Sequence, residues 1–202
     1  MIAVQTYSAI DLSKTILSRQ PSPIGMTKLQ KLLYFSQGWS LALTGDRLHS
    51  SETEAWTNGP VVRRVYSLID VNSREHYVDR LPHDSAAHGL LSLVQAEYGG
   101  MSGKELSALT HAGGPWNQAR AGLPVDAPSR AFINTDSMAS YFSEKDSLAG
   151  LRINEILYMG LESFDPRTPL PKEPHGARAA RWEPNPFMDE SANLFAIPPA
   201  RR

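Results

Sequence analysis

Apolar residues recur with a helical period through most of the first 164 residues of this chain. Leu29, Leu32, Leu33, Phe35, Trp39 and Leu43 repeat at three- and four-residue spacing, which predicts one continuous helix over 26–45. Thr27-x-x-Gln30 has the form of a capping box at its start, and Gly45 offers a left-handed stop at its end. Ser8 with Asp11 suits an N-terminal cap ahead of Leu12, Ile16 and Leu17, and Pro21 closes that segment. Leu90, Leu91 and Val94 predict a helix at about 86–98, ended by Gly99-Gly100. A second capping box, Ser102-x-x-Glu105, has Met101 and Leu106 at the staple positions; its helix runs through Leu109 and the "GGP" at 113–115 closes it. Segments 134–142 and 148–161 complete the helical set.

Between these helices, "DRLHSSETEAWTNGPVV" is too interrupted for another one. Around Leu48 and around Ala55–Trp56 it predicts two short strands joined by a Ser/Glu turn. Asn58-Gly59-Pro60 breaks the second strand and presets the next helix, in which Val61, Val62, Val65, Leu68 and Ile69 face inward while Arg63, Arg64 and Ser67 face out. The expected class is α+β and mainly helical: six or seven helices with one small antiparallel β-hairpin. Near Asp165 the chain changes character, because residues 165–202 hold 8 of the 15 prolines. Prolines at that density remove amide donors and stop helices. The expected organisation is therefore a domain over 1–164 and a Pro-rich C-terminal arm over 165–202.

Composition narrows the function. Of 202 residues 41% are apolar and 20% charged, enough for a real core, and the net charge is −1. That balance argues against nucleic-acid binding by bulk electrostatics. The absence of cysteine excludes disulfides, thiolate nucleophiles and cysteine zinc sites. No apolar run approaches the ~20 residues of a membrane span, and "MIAVQTYSAIDLSK" has no secretory pattern. A cytoplasmic location is the expectation.

The chemical motifs reduce to structure one after another. "GGMSGKE" at 99–105 invites a P-loop reading, but Tyr98 stands where the motif needs glycine and Glu105 where it needs Ser or Thr. The histidines at 49, 76, 83, 88, 111 and 175 lack the helical spacing of a zinc hydrolase, so structural roles are expected, with His83 and His88 straddling a helix start. No Gly-x-Ser-x-Gly elbow is present. No catalytic, metal or cofactor residue is assigned, and the protein is not expected to be an enzyme.

What remains points to a protein interface. Gln30, Tyr34, Gln37 and Leu41 form a stripe beside the main apolar face of the long helix. Either a second layer covers it, the hairpin or the last helix, or it meets a partner. An amphipathic aromatic flanked by amides suits an interface, so Lys31, Tyr34 and Gln37 are expected on a partner surface. Arg63 and Arg64 are read as solvated or as rim charges that steer association. In the arm, Trp182, Phe187 and Phe195 are spaced as hydrophobic anchors along "RWEPNPFMDESANLFAIPPARR".

Three blocks also carry a resemblance: "KLQKLLYFSQGWSLALTGDRL", "EAWTNGPVVRRVY" and "LSALTHAGGPWNQA", in that order. They resemble the signature blocks of the Panacea domain, a family of bacterial and phage antitoxins that includes SocA-like proteins. The resemblance covers roughly residues 8–143. It implies an antitoxin whose partner is a cognate protein toxin, neutralised by direct binding, and it supplies no catalytic residues. A rival reading is a proteolytic adaptor that delivers the toxin to an AAA+ protease; a DNA-binding autoregulator is more remote. Within the blocks, Trp56 is expected on the second strand. Gly38 would admit a neighbouring backbone, and Thr110, His111 and Trp116 would pin a helix end to the centre.

Overall fold

A computed structural model describes residues 4–73, 77–112 and 114–165. Among these the chain forms eight α-helices, one 3₁₀ turn and two small antiparallel hairpins, the α+β, mainly helical class that the sequence predicts. The anchors Trp182, Phe187 and Phe195 of the C-terminal arm lie outside the described residues.

Helix α1 (Ala9–Ser18) starts at Ser8, whose hydroxyl accepts from the Ile10 amide. Helix α2 (Met26–Thr44) ends at Gly45 in the left-handed conformation, φ 77°. Its start differs from the predicted capping box. Gly25 is the cap, Thr27 is exposed, and the Gln30 side chain is drawn away to Val62. Every residue from Leu29 to Leu41 is buried, so α2 is a central axis rather than a surface helix. Helices α4 (Ala86–Tyr98), α5 (Gly103–His111) and α7 (Thr135–Ser143) pack around it together with α1.

The predicted hairpin exists but one step later in the chain. Strand β1 (Glu54–Trp56) pairs with β2 (Gly59–Val61), with Trp56 opposite Gly59, so Thr57-Asn58 is the turn. Gly59 takes φ 102°, a conformation that strains any residue with a Cβ. Pro60 therefore lies in a strand, not in a first helical turn. The chain near Leu48 pairs instead with the N-terminal segment, through a Tyr7–His49 parallel bridge. Helix α3 (Arg63–Leu68) buries Val65 and, beside it, Val61, Val62 and Ile69, whereas Leu68 is exposed, contrary to expectation.

Helix α5 opens with the predicted capping box, Ser102 and Glu105 exchanging backbone hydrogen bonds of 3.3 and 2.7 Å. Ser102→Ala is expected to cost about 1 kcal/mol of unfolding free energy, read by urea melts at constant m-value. A loss below a few tenths would show that the box is not stabilising. Helix α6 is Pro115–Ala119. The segment predicted as one helix over 148–161 splits into β3 (Ser147–Leu148), β4 (Leu151–Arg152), α8 (Ile153–Met159) and a 3₁₀ turn at Leu161–Ser163. Ala149 and Gly150, at φ 55° and 77°, form the tight turn that breaks it. Among the described residues no helix is long and apolar enough to cross a membrane.

Candidate functional site

The polar stripe of α2 proves to be a set of backbone clamps. The Gln30 amide accepts from the Val62 N–H at 2.8 Å and donates to the Val62 carbonyl at 3.3 Å. One heptad on, Gln37 accepts from His49 N–H at 3.0 Å and donates to its carbonyl at 3.2 Å. Each glutamine thus satisfies both backbone groups of one residue in an irregular segment, which a buried segment requires. Tyr34 lies between them, 2% exposed, edge-on to Phe35 and Phe142. The partner surface expected at Tyr34 and Gln37 is therefore closed; Lys31 is buried as well, but its side chain lines a cleft. The hairpin, the 48–49 segment and α7 form the second layer that covers the stripe.

Lys31 is the exception in chemistry. Its side chain is 1% exposed, and its Nζ donates to the Pro60 carbonyl at 3.1 Å, under the hairpin turn. A Cβ on Gly59 would sit 2.6 Å from this amine, so the glycine is what lets the lysine lie there. No carboxylate among the described residues pairs with it. Burial pushes its pKa down to about 7.

Beside Lys31 opens a cleft of about 750 Å³, lined by Met26, Thr27 and Gln30 of α2, by Trp56, Thr57, Asn58 and Val61 of the hairpin, by Tyr66, and by 128–130. Trp56 is half-buried and pairs with the exposed ring of Tyr66, centroids 5.1 Å apart, so it is wall as well as core. Its Nε1 donates to Glu54, which also holds the Arg63 guanidinium through two 2.8 Å bonds. The Arg63 bonds hold the Glu54 carboxyl below its ordinary range. Of the two arginines expected as rim charges, Arg63 is thus committed to an ion pair. Arg64 is exposed.

The hairpin is fixed from the other side by the third block. Trp116 Nε1 donates to the Trp56 carbonyl at 2.9 Å, the His111 ring stacks on Trp116, and the Ser107 hydroxyl reaches the Asn58 carbonyl. Trp116, with His111 stacked on it, thus holds the hairpin, while the Thr110 hydroxyl bonds within its own helix, to the Ser107 carbonyl. Arg120, 4% exposed, donates to the carbonyls of Ala55, Pro124, Val125 and Ala127 and stacks on Trp116. Sequence reasoning missed Arg120, because its partners are backbone oxygens that no motif marks.

A second polar cluster lies at the start of α4. Donor atoms of Asp79, His83 and His88 lie within 4.8 Å of one another, a set of two imidazoles and a carboxylate that can in principle hold a metal. Arg19 decides otherwise. Its Nε and Nη2 both donate to Asp79 Oδ2, at 2.9 and 2.7 Å, while Leu81 N–H takes Oδ1. The guanidinium stands where a cation would and neutralises the carboxylate. His83 Nδ1 and His88 Nε2 share a hydrogen bond of 3.0 Å, and burial lowers the His88 pKa. This cluster ties α1 to α4; its histidines straddle the helix start as expected.

The molecule is thus a mainly helical domain in which one buried helix holds a hairpin by its backbone, leaving an aromatic cleft along the join. Residues 29–117 match the family described as "Antitoxin SocA-like, Panacea domain", the family that the three blocks resemble. Among curated proteins the chain is similar to Antitoxin SocA of Caulobacter vibrioides (strain NA1000 / CB15N), 34% identical over 111 residues. The match covers 47% of this chain and 59% of the relative, less than two thirds of that protein's length. No solved structure matches.

Proposed function

We propose that this chain is the antitoxin of a toxin–antitoxin pair and neutralises its cognate protein toxin by binding it directly. The similarity to a protein named Antitoxin SocA carries this reading. The cleft between α2 and the hairpin is the contact that the geometry favours. The first two signature blocks line it and the third pins its hairpin through Trp116, its rim presents the Trp56–Tyr66 pair, and such rigid aromatics contribute most to protein interfaces. Arg64 lies on the helix beside that rim and serves as a steering charge. The arm after Asp165, with Trp182, Phe187 and Phe195, acts as a second, clamping contact. No catalytic role is assigned to the domain.

The test is co-expression with the protein encoded beside it, followed by affinity measurement with purified components. Growth should be rescued, a stable complex should form, and deletion of 166–202 should weaken it at least tenfold without lowering the melting temperature. Absence of any complex, or of toxicity in the neighbour, overturns the reading. Rescue that requires an AAA+ protease and shortens toxin half-life would replace blocking by delivery. A lower melting temperature with unchanged affinity would make the arm an intramolecular strap.

A further inference from the structure

We infer that the cleft is a receptor for a carboxylate: an acidic side chain of the partner enters between α2 and the hairpin, pairs with Lys31 and is steered by Arg130. The inference rests on the reading that a protein binds at this cleft, and names the chemistry of what it recognises.

Charge on the two sides of the hairpin is unbalanced. Lys31 and Arg120 are both buried cations whose hydrogen bonds among the described residues go to carbonyl oxygens only. Arg130, exposed at the mouth, forms no ion pair among the described residues. Glu54, the carboxylate on β1, is saturated: Arg63 takes both its oxygens and Trp56 donates to one of them. On the α5 side, burial and the Lys31 and Arg120 charges lower the His111 pKa, as expected beside uncompensated positive charge.

The amine is also short of partners. An ammonium has three N–H donors, and Lys31 places one of them. A buried charge with one carbonyl acceptor is costly, which is why its pKa falls to about 7. An arriving carboxylate would supply the missing acceptors and the missing charge together. Thr27, Thr57, Asn58 and Ser129 line the same cleft and offer polar groups for a second oxygen, while Trp56 and Tyr66 receive the methylenes that carry it. The cleft is far roomier than one side chain, so the acid arrives on a longer segment of the partner.

The decisive variant is Lys31→Met, which keeps length and apolar contact and removes the charge. A buried, uncompensated ammonium does not stabilise the free protein. Its removal should leave the melting temperature equal or higher while affinity for the neighbour-encoded toxin falls at least tenfold. Arg130→Gln should mainly slow association, and more so at low salt. The site is read separately on the full chain alone, by following α2 and hairpin amides in NMR titrations. Glutarate should give saturable shifts that Lys31→Met abolishes, whereas neutral glutaramide should give none.

A lowered melting temperature with wild-type affinity would overturn the inference and make Lys31 a strut for Pro60. Unchanged spectra with glutarate would also count against it. Equal toxin binding by wild type and Lys31→Met sinks the carboxylate site and leaves the antitoxin reading standing. Lys31-dependent glutarate binding without any toxin complex does the reverse.

Discussion

Phe142→Ala is expected to remove about 3–5 kcal/mol of stability, the range for truncating a large buried aromatic side chain. Phe142 is fully buried at the contact of α7 with α2. Its ring meets Trp39, Tyr34 and Phe35 edge-on, with centroids 5.5, 5.8 and 6.0 Å away, and occupies the space that a Cβ on Gly38 would need. These contacts link both ends of the central helix's aromatic face, so the cavity cannot collapse by moving one neighbour. A domain has about 5–15 kcal/mol to lose, so the variant should be near the limit of folding at 37 °C. Phe142→Leu, which keeps much of the volume, should cost clearly less. Urea melts at 15 °C measure both. A loss under about 1 kcal/mol for alanine would show that α7 is not part of the cooperative core.

Gly38 shows how far sequence reasoning reached here and where it stopped. The glycine in the long helix signals close approach, and approach is what occurs, but by the Phe142 ring rather than by a backbone. The same division holds elsewhere. Helices α1 and α5 were legible because cap, period and stop coincide within a few residues, Ser8 and Ser102 each accepting from an amide of the first turn; α4 was legible from period and stop, and its cap, Ser85, went unread. Such signals are local, so one sequence contains them entirely. The start of α2 was misread because Gln30 answers to Val62, which is 32 positions away. Polar residues at helical spacing look like surface when their partners cannot be seen. Gln30, Gln37 and Lys31 are buried by segments that no periodicity connects to them. The hairpin slipped for a related reason. Leu48 does carry strand chemistry, but its neighbour is the N-terminal segment at Tyr7. The family blocks were recognisable as strings, while the meeting of the first two at one cleft, with the third bonded to its hairpin, is a property of the fold.

Acidification should expose the buried histidine at the end of that same segment. His49 has no exposed surface, and burial pushes its pKa from the ordinary 6.5 down to about 4. The unfolded chain therefore binds a proton between about pH 6.5 and 4 that the folded chain refuses. Stability contributed by the neutral ring is fully present above pH 6.5, falls as pH drops through that window, and levels off below pH 4. A difference of this size corresponds to about 3 kcal/mol, since each pKa unit is worth about 1.4 kcal/mol. His88 and His111, also held below their ordinary values by burial, act in the same direction. Glu54 and Asp79, whose partners lower them, lose their contribution only at still lower pH. His49→Leu isolates the effect, because it keeps the burial and removes the titration, and the backbone clamp from Gln37 does not use the ring. Denaturant melts at pH 7, 6, 5 and 4.5 should show wild type losing stability more steeply than the variant, the two curves diverging by most of that amount at the acid end. Parallel curves would mean that His49 titrates alike in both states, and the acid sensitivity would have to come from the Arg19–Asp79–His88 cluster instead.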